Sequence, residues 1–203
     1  MNRGVILDRD GTLIDVVRDE ESGLVSVAFH PSHVRLLPGV IEGLTALSAA
    51  GYTLCIASNQ PGPAKGQFSA GAVARTNQAL LAVLAEHGIQ IAAFEVCMHH
   101  PDGGLGADST LVGVCECRKP KPGMLRAALE HTGLSVDATW MVGDSADDVA
   151  AARACGMRAA LVFPLNRCEL CPLRSGPVSQ PDLHRPRFDE LALALIDADR
   201  ARS

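Results

Sequence analysis

The sequence predicts an α/β protein in which a parallel sheet is flanked by helices, with no separate cap domain. Three observations predict this fold class. Short apolar runs alternate with longer helical patterns, glycines follow the helical patterns, and polar residues come directly after several of the apolar runs. Repeated strand–helix alternation favours a parallel sheet with right-handed crossovers. In such sheets, ligands bind at the carboxyl ends of the strands.

Five short runs are predicted to be strands because they are almost entirely apolar, as strands covered on both faces should be. They are residues 4–7, 52–57, 94–97, 139–142 and 159–163. Helices are predicted between them, and a last amphipathic helix is predicted near the end of the chain. The helical ranges are 38–50, 69–87, 122–131, 147–155 and 189–201. Proline begins two of these helices, and glycine follows four of them at positions 51, 88, 133 and 156.

The remaining segments are loops. Residues 13–37 and 98–120 are longer than most connections in a compact domain, and loops of this length are functional or disordered. The stretch 164–186 is rich in Pro, Arg and Ser and is expected to run over the surface. We therefore predict one domain, residues 1–203, with a peripheral C-terminal segment at 164–203.

Composition excludes several classes of function. The chain has 203 residues, of which 47% are hydrophobic and 20% charged, which suits a single globular domain. Its net charge of −5 is spread without long runs of like charge, so neither nucleic acid nor an anionic membrane is an expected partner. No signal sequence or membrane span is evident. We expect a cytoplasmic monomer whose seven cysteines are reduced thiols or metal ligands.

The polar residues after the first and fourth strands predict a magnesium site. Asp8 and Asp10 are two residues apart at a strand end, so both carboxylates can face one small volume, and Gly11 allows a sharp turn there. Asp144 reaches the same edge from another strand. Carboxylates this close repel one another unless a cation lies between them, and Mg²⁺ takes carboxylate, water and phosphate oxygens. An Asp-x-Asp pair alone more often marks a turn, so the prediction depends on the combination.

Four ordered motifs carry a family resemblance. They are Asp8-Arg9-Asp10-Gly11-Thr12, Ser58-Asn59, Lys119 and Gly143-Asp144-Ser145-Ala146-Asp147-Asp148. Together they resemble the motifs of the haloacid dehalogenase (HAD) phosphatase superfamily and span most of the chain. The resemblance implies a HAD-like version of the Rossmann-like fold and hydrolysis of a phosphate ester of a small soluble metabolite.

The resemblance also implies a role for each matching residue. Asp8 would be the nucleophile, forming a phospho-aspartate, and Asp10 the general acid and base. Ser58 would hold the phosphoryl group beside the substrate-binding residue Asn59, and Lys119 would neutralise its charge. The implied Mg²⁺ ligands are the Asp8 carboxylate, the Asp10 main-chain carbonyl and the Asp144 carboxylate, and Asp148 would orient Lys119 or the metal shell.

A second group of candidate metal ligands begins where the third predicted strand ends. Cys97 and His99 form one close pair and Cys115 and Cys117 another, joined by 15 residues (100 to 114). Three thiolates and one imidazole match a closed tetrahedral zinc site, and the alternative is four unligated side chains in a reducing compartment. We favour a structural Zn²⁺ in loop 97–117, because all four lie at one sheet edge next to an Arg-Lys pair that the metal would fix.

The cluster narrows the resemblance to one branch of the superfamily. Its four residues, followed by Arg118-Lys119-Pro120-Lys121-Pro122-Gly123-Met124, are similar to the group containing heptose bisphosphate phosphatases and histidinol phosphatases. The resemblance implies that Arg118 contacts the second phosphate or the sugar end of a substrate. Loop 13–37 and the two prolines in Gln60-Pro61-Gly62-Pro63 depart from the heptose enzymes and border the pocket, so the leaving group stays open.

Four functions remain as alternatives at this point. The favoured one is hydrolysis of a sugar phosphate, and the first rival is hydrolysis of histidinol phosphate. The others are repair of nucleic-acid 3′-phosphate ends, for which a basic groove is lacking, and an inactive binding protein. Cys168 and Cys171 resemble half of a metal knuckle, but no second such pair follows, so unligated surface cysteines are expected there.

Overall fold

A computed structural model describes residues 2–18, 21, 23, 25–163 and 180–202. Six strands form one sheet in which every pairing is parallel. They are β1 (Gly4–Leu7), β4 (Thr53–Asn59), β5 (Ala93–Cys97), β6 (Thr139–Gly143), β7 (Arg158–Val162) and β8 (Leu183–Arg185). Their order across the sheet is β5-β4-β1-β6-β7-β8. Two short strands, β2 (Val17–Arg18) and β3 (Val25–Ser26), form a separate antiparallel ribbon.

Helices cover both faces of the six-stranded sheet. They are α1 (Val40–Ala49), α2 (Gly62–Lys65), α3 (Ala70–Glu86), α4 (Gly123–Thr132), α5 (Ala146–Cys155) and α6 (Phe188–Arg200). Buried side chains of α1, α3 and α6 form one core cluster, and those of α4 and α5 form a second. In the described ranges, no helix has the length and apolar character that crossing a bilayer requires. The predicted α/β class with a covered parallel sheet is confirmed.

The sequence of the central strand β1 explains why both of its faces are buried. All four residues of β1 are buried, and successive side chains of a strand point to opposite faces. Val5 and Leu7 accordingly lie in the cluster with α1 and α6, whereas Ile6 lies in the cluster with α4 and α5. Because both faces of β1 are occupied by apolar neighbours, its carboxyl end is fixed in the middle of the sheet edge.

Most predicted elements agree with the structure to within a few residues, and the differences lie at the edges. β8 was not predicted because only one of its three residues is apolar and all three are at least partly exposed. The described part of the segment predicted to be peripheral differs from that prediction. β8 pairs with β7, and α6 buries Phe188 and Leu195. Residues 164–179, which include Cys168 and Cys171, lie outside the described residues.

One buried carboxylate fastens α6 to the sheet. Asp199 accepts hydrogen bonds from the Tyr52 hydroxyl at 2.7 Å, Trp140 Nε1 at 3.2 Å and Arg158 Nη1 at 2.5 Å. The Arg158 guanidinium also lies 4.1 Å from the centre of the Trp140 ring. The donors come from the start of β4, from β6 and from β7, so Asp199 joins the last helix to three positions along the chain.

Candidate functional site

The ends of β1 and β6 bring the two aspartate motifs together. Asp8 directly follows β1, and its amide donates a hydrogen bond to the carbonyl of Val142 in β6 at 2.8 Å. Gly11 has a φ of +85°, and a Cβ atom there would lie 2.1 Å from Oδ2 of Asp144. Only glycine fits this turn, because any side chain would collide with the carboxylate. The turn therefore lets Asp144 approach the Asp8 loop, as the sequence predicted.

Lys119 lies between two carboxylates of this site. Its Nζ is 2.6 Å from Oδ1 of Asp8 and 2.7 Å from Oδ1 of Asp148, and it also donates to the carbonyl of Ala57 at 2.7 Å. The residue is 2% exposed. Burial alone would lower the pKa of Lys119, but the two carboxylates raise it above its usual value, so the ammonium stays charged. The prediction that Asp148 orients Lys119 agrees with this contact.

Asp148 is itself fixed at the start of α5. Its Oδ2 accepts hydrogen bonds from the amide of Ser145 at 3.1 Å and from the Ser145 hydroxyl at 2.5 Å. Ser145 is the N-cap of α5, and the reciprocal arrangement is a capping box. The motif that follows β6 therefore starts a helix and holds a carboxylate against Lys119 at the same time.

Three carboxylates form a compact acidic group. Asp8, Asp144 and Asp148 each place an oxygen within 4.8 Å of the other two. Burial, together with the neighbouring carboxylates of Asp148 and Asp10, raises the pKa of Asp8 to about 7 against the opposing effect of Lys119. Burial, Asp8 and Asp148 likewise raise the pKa of Asp144. Hard oxygen donors that repel one another when ionised fit a divalent cation such as Mg²⁺.

Two of the three predicted magnesium ligands, Asp8 and Asp144, belong to this group. Asp148 joins Asp8 and Asp144, whereas the carboxyl of Asp10 points to other partners. The main-chain carbonyl of Asp10, which is the atom implied by the family resemblance, stays a prediction.

The carboxyl of Asp10 is surrounded by donors from three segments. Arg9 Nε donates to its Oδ2 at 2.9 Å, the amide of Ala28 donates to its Oδ1 at 2.8 Å, and Gln60 Nε2 donates to its Oδ2 at 2.7 Å. The alternation of side chains along an extended chain predicts that Arg9 lies on the opposite face from the two aspartates, with a structural partner of its own. Its guanidinium instead turns back to Asp10, because a fully buried cation requires the nearest carboxylate.

The residues at the carboxyl end of β4 contact the other motifs. Ser58 is 1% exposed, and its hydroxyl accepts a hydrogen bond from Gln60 Nε2 at 2.9 Å. The side-chain amide of Asn59 is bonded at both ends to the backbone of Lys119. Gln60 is one of the polar residues that the strand-end rule places at this edge, but the sequence assigns it no individual role, and the structure shows it bonded to both Asp10 and Ser58.

Two adjoining cavities open beside these groups. The smaller, of about 110 Å³, is lined by Asp8, Asp10, Val27, Asn59, Lys119, Ser145, Asp147 and Asp148. The larger, of about 250 Å³, shares Lys119 and Asp147 with it and also includes Arg118, Val114 and Lys121. Among the described residues, Nη1 of Arg118 is buried without a hydrogen-bond partner. The predicted substrate-binding residues Asn59 and Arg118 therefore line neighbouring parts of one depression.

The two histidines of the loop at 13–37 lie elsewhere. His33 lines a third cavity, of about 370 Å³, together with Asp15, Val16, Val17, Arg18 and Arg35. His30 makes a local contact with the Ser32 hydroxyl through its Nδ1 at 2.8 Å. Neither histidine lines the cavity around Asp8.

The four residues of the predicted zinc cluster come together. Sγ of Cys97 is 3.6 Å from Sγ of Cys115 and 3.0 Å from Sγ of Cys117, and Sγ of Cys117 is 3.5 Å from Nδ1 of His99. All four ligand atoms lie within 4.8 Å of one another. The donor set is that of a zinc site, and the sulfur atoms lie somewhat closer together than the about 3.8 Å at which a tetrahedral zinc ion with Zn–S bonds of about 2.3 Å would hold them.

The loop between the two cysteine pairs rests against the turn after Ser58-Asn59-Gln60. The amide of Asp108 donates to the carbonyl of Pro63 at 3.0 Å. A Cβ atom on Gly66 would lie 2.1 Å from the carbonyl oxygen of Leu105, and one on Gly104 would lie 2.3 Å from that of Lys65. The two backbones therefore touch directly, and this contact joins the cysteine cluster to the segment that carries Ser58 and Asn59.

Comparison with protein families and curated sequences gives matches for most of the chain. Residues 116–163 match a family model described as HAD-hydrolase-like. The D-glycero-β-D-manno-heptose-1,7-bisphosphate 7-phosphatase of Pseudomonas putida is 35% identical over 158 residues, which cover 78% of this chain and 81% of the relative. The enzyme of the same name from Pseudomonas aeruginosa is 37% identical over 158 residues, covering 78% and 79% of the two chains.

A solved structure agrees with these relatives. The D,D-heptose 1,7-bisphosphate phosphatase from B. bronchiseptica, complexed with magnesium and phosphate, superposes with a TM-score of 0.77. It is 28% identical, and the match covers 97% of this chain and 99% of that one. The similarity therefore extends over the whole fold and is not confined to the four motifs.

Proposed function

The chain belongs to the family of D-glycero-β-D-manno-heptose-1,7-bisphosphate 7-phosphatases, which are HAD-like hydrolases, and from this premise we propose that it removes the 7-phosphate from such a heptose 1,7-bisphosphate, leaving the heptose 1-phosphate. The observation that carries the proposal is the position of Asp8. This buried carboxylate lies beside a charged lysine and two further aspartates, at the bottom of a cavity of about 110 Å³.

Asp8 is the nucleophile in this proposal. Its carboxylate attacks phosphorus, the bond from phosphorus to the sugar oxygen breaks, and a phospho-aspartate forms. Lys119 lies 2.6 Å from Asp8, where it neutralises charge on the transferring group, and Ser58 with the neighbouring amides holds that group. Bound Mg²⁺, held by Asp8, Asp144 and the Asp10 carbonyl, would screen the negative charge that otherwise opposes attack by a carboxylate.

Asp10 transfers protons in both halves of the reaction. Its carboxyl protonates the departing sugar oxygen, and its carboxylate then accepts a proton from the water that attacks the phospho-aspartate. That second displacement releases inorganic phosphate and restores Asp8. General acid–base help of this kind contributes a factor of about 10²–10⁴ to the rate.

The larger cavity supports a substrate with a second anionic group. Arg118, Lys119, Lys121 and Asp147 line it. Lys119 is paired with Asp8 and Asp148 and Lys121 with Glu116, whereas Nη1 of Arg118 has no partner among the described residues. This charge favours the 1-phosphate of a sugar bisphosphate. Histidinol phosphate carries an ammonium group, which the same lining would repel, so the charge favours the sugar over that rival.

We also propose that Cys97, His99, Cys115 and Cys117 bind a structural Zn²⁺. Burial raises the pKa of the Cys97 thiol, and a bound cation is what would allow three thiolates to coexist there. Four protein ligands leave no position for substrate, so the ion would act by folding loop 97–117 and fixing the basic residues that follow it. We regard residues 1–203 as one catalytic domain and expect it to act as a monomer.

A substrate panel tests the main proposal. Phosphate release in Mg²⁺ is measured for the heptose 1,7-bisphosphate, histidinol phosphate and a 3′-phosphorylated oligonucleotide, and phosphorus NMR identifies the group that leaves the sugar. We expect the highest kcat/KM for the bisphosphate, with loss of the 7-phosphate, and no turnover by Asp8→Asn. A higher value for either rival substrate would replace the proposed one, and no Mg²⁺-dependent release from any ester would indicate a binding protein.

A further inference from the structure

We propose that Arg9 is a positioning residue that holds the carboxyl of Asp10 and the adjoining wall of the cavity in one fixed arrangement. This inference rests on the proposed function, because it concerns the group that protonates the leaving oxygen. Arg9 lies between the two aspartates of the first motif and is 0% exposed. It does not line the cavity around Asp8, so any effect on the reaction passes through the groups that it holds, the Asp10 carboxyl and the segment at Ala28.

Arg9, Asp10 and Ala28 form a closed ring of hydrogen bonds. Arg9 Nε donates to Oδ2 of Asp10 at 2.9 Å, and Arg9 Nη2 donates to Oδ1 of Asp10 at 3.1 Å. The same Nη2 donates to the carbonyl of Ala28 at 2.6 Å, and the amide of Ala28 returns to Oδ1 of Asp10 at 2.8 Å. The carbonyl and the amide of Ala28 are therefore both hydrogen-bonded within the ring. The carboxyl of Asp10 cannot rotate without breaking several of these hydrogen bonds.

The far end of the guanidinium is anchored as well. Arg9 Nη1 donates to Oδ1 of Asn77 in α3 at 2.5 Å. On the other side, Gln60 Nε2 donates to Oδ2 of Asp10 at 2.7 Å. The ring is thus held between a core helix and the segment after β4. Asp8 keeps Lys119 as its own ion partner at 2.6 Å, so each aspartate of the motif has a separate cation.

The geometry requires arginine in particular. A guanidinium presents its donors in a planar fork that binds both oxygens of a carboxylate and one further acceptor, whereas a lysine ammonium is a single point charge. Lysine at this position could neutralise Asp10, but its three N–H donors could not serve all four acceptors of Arg9, which are both Asp10 oxygens, the Ala28 carbonyl and Oδ1 of Asn77. Val27, the residue before Ala28, lines the cavity, so a loose ring would displace both the carboxyl and the wall beside the leaving group.

The test compares Arg9→Gln and Arg9→Lys with wild type over esters whose leaving groups need different degrees of protonation. The substrates are p-nitrophenyl phosphate, phenyl phosphate and the heptose bisphosphate. The measured quantity is kcat/KM, because it reports events up to the first irreversible step and excludes hydrolysis of the phospho-aspartate. Arg3→Gln is the matched control, since it removes a partly buried arginine at the other end of β1 that bonds the Ala50 carbonyl and lies over the Tyr52 ring.

We expect the Arg9 variants to lose kcat/KM mainly on the substrate with the poor leaving group. Arg9→Gln should lower kcat/KM for the sugar phosphate by about 10²-fold and for p-nitrophenyl phosphate by less than about tenfold, since a good leaving group needs little acid catalysis. Arg9→Lys should show the same difference between substrates, and it provides the test if Arg9→Gln fails to fold. Arg3→Gln should leave the ratio between substrates unchanged. An equal loss on every ester, or full activity with lysine, would overturn the proposal.

A readout without substrate separates this inference from the proposed function. Amide hydrogen exchange at Ala28 should be faster in both Arg9 variants than in wild type and unchanged in Arg3→Gln, because the ring would no longer hold that amide. An unchanged rate of amide hydrogen exchange at Ala28 would show that Arg9 does not hold this amide through the proposed ring of hydrogen bonds. Inactivity of the wild type on all three esters, by contrast, would contradict the phosphatase function and leave the exchange result to decide the contact itself.

Discussion

Asn59 and Lys119 are joined by a pair of hydrogen bonds that uses both ends of the asparagine side chain. Nδ2 of Asn59 donates to the carbonyl of Lys119 at 3.0 Å, and the amide of Lys119 donates to Oδ1 of Asn59 at 3.0 Å. The asparagine was predicted to bind substrate, but its amide is occupied by a neighbouring loop. The backbone position of the lysine, and hence the reach of its Nζ toward Asp8, therefore depends on this one side chain.

Asn59→Asp should lower turnover with little change in fold. The new carboxylate has the same shape but cannot donate to the Lys119 carbonyl, so the lysine backbone would shift. Misplacement of a catalytic group by about 1 Å costs about 10²-fold in rate, and we expect a fall in kcat of that order. Steady-state phosphate release measures it, with Asn2→Asp at the exposed N-terminus as control. Activity within about threefold of wild type would contradict this role.

Lys119→Met should destabilise the protein most when divalent metal is absent. Removing the ammonium leaves Asp8 and Asp148 buried without their shared partner, and breaking a buried ion pair costs about 3–5 kcal/mol of unfolding free energy. Urea unfolding in EDTA and in Mg²⁺ measures the loss and its partial recovery by the cation. The Lys121→Met change, at a partly exposed lysine, should have little effect in either buffer. Wild-type stability of Lys119→Met in EDTA would refute the argument.

Cys117→Ser should remove bound zinc and lower activity. The serine hydroxyl is a poorer ligand than a thiolate, so the loop between the cysteine pairs would lose its fixed shape, and with it the position of Lys119. Metal analysis of the purified protein and the melting temperature measure the effect. Cys155→Ser, which changes a thiol outside the cluster, serves as the control. Normal melting and turnover in protein freed of zinc would show that the ion is dispensable.

Asp199→Ala should lower stability without changing kcat. The substitution leaves Trp140 Nε1 and the Arg158 guanidinium without their acceptor in a largely buried place, and a buried unsatisfied group costs about 1–3 kcal/mol. Denaturant unfolding gives the free energy, and activity under native conditions gives kcat. The site lies on the last helix and touches none of the catalytic residues, so a fall in kcat at full folding would show an unexpected coupling.

Asp182 should make stability depend on acid pH. Burial would raise its pKa, but hydrogen bonds from Arg153 Nη1 at 2.7 Å and from the Ala159 amide at 2.8 Å lower it below the usual 3.8. A carboxyl whose folded pKa is depressed stabilises the protein above its unfolded pKa, and this contribution disappears as pH falls through the folded value. Asp182→Asn should therefore be less stable than wild type at pH 7, and unfolding curves should converge below about pH 4. A difference that persists in acid would contradict the assignment.

The sequence predicted the parts of the fold and site that are encoded locally. Asp8 and Asp10 follow an apolar run, and Gly143-Asp144 follows another, so the rule for strand ends predicts that they lie at one edge of the sheet. The cysteine cluster was equally visible, because its members occur as two close pairs. The edge strand β8 could not be predicted, since three residues with one apolar side chain carry almost no hydrophobic pattern.

The contacts between motifs could not be predicted in the same way. Whether Arg9 turns toward Asp10 or away from it depends on rotamers and on where Ala28 lies, and the sequence contains no signal for either. The pairing of Asn59 with Lys119 joins residues 60 positions apart whose backbones meet only in the folded chain. Side-chain polarity after a strand suggested that these residues belong to the site, but not which of them touches substrate and which supports another residue.

The direct contact between the turn at Gly66 and the loop at Gly104 limits how the enzyme can be redesigned. A side chain at either glycine would collide with a carbonyl oxygen of the facing segment, so neither position tolerates diversification. Val114, by contrast, is 80% exposed beside the larger cavity, and nothing in the described structure restrains its size. A mutant library aimed at new substrates should therefore keep both glycines and randomise the part of the loop around Val114.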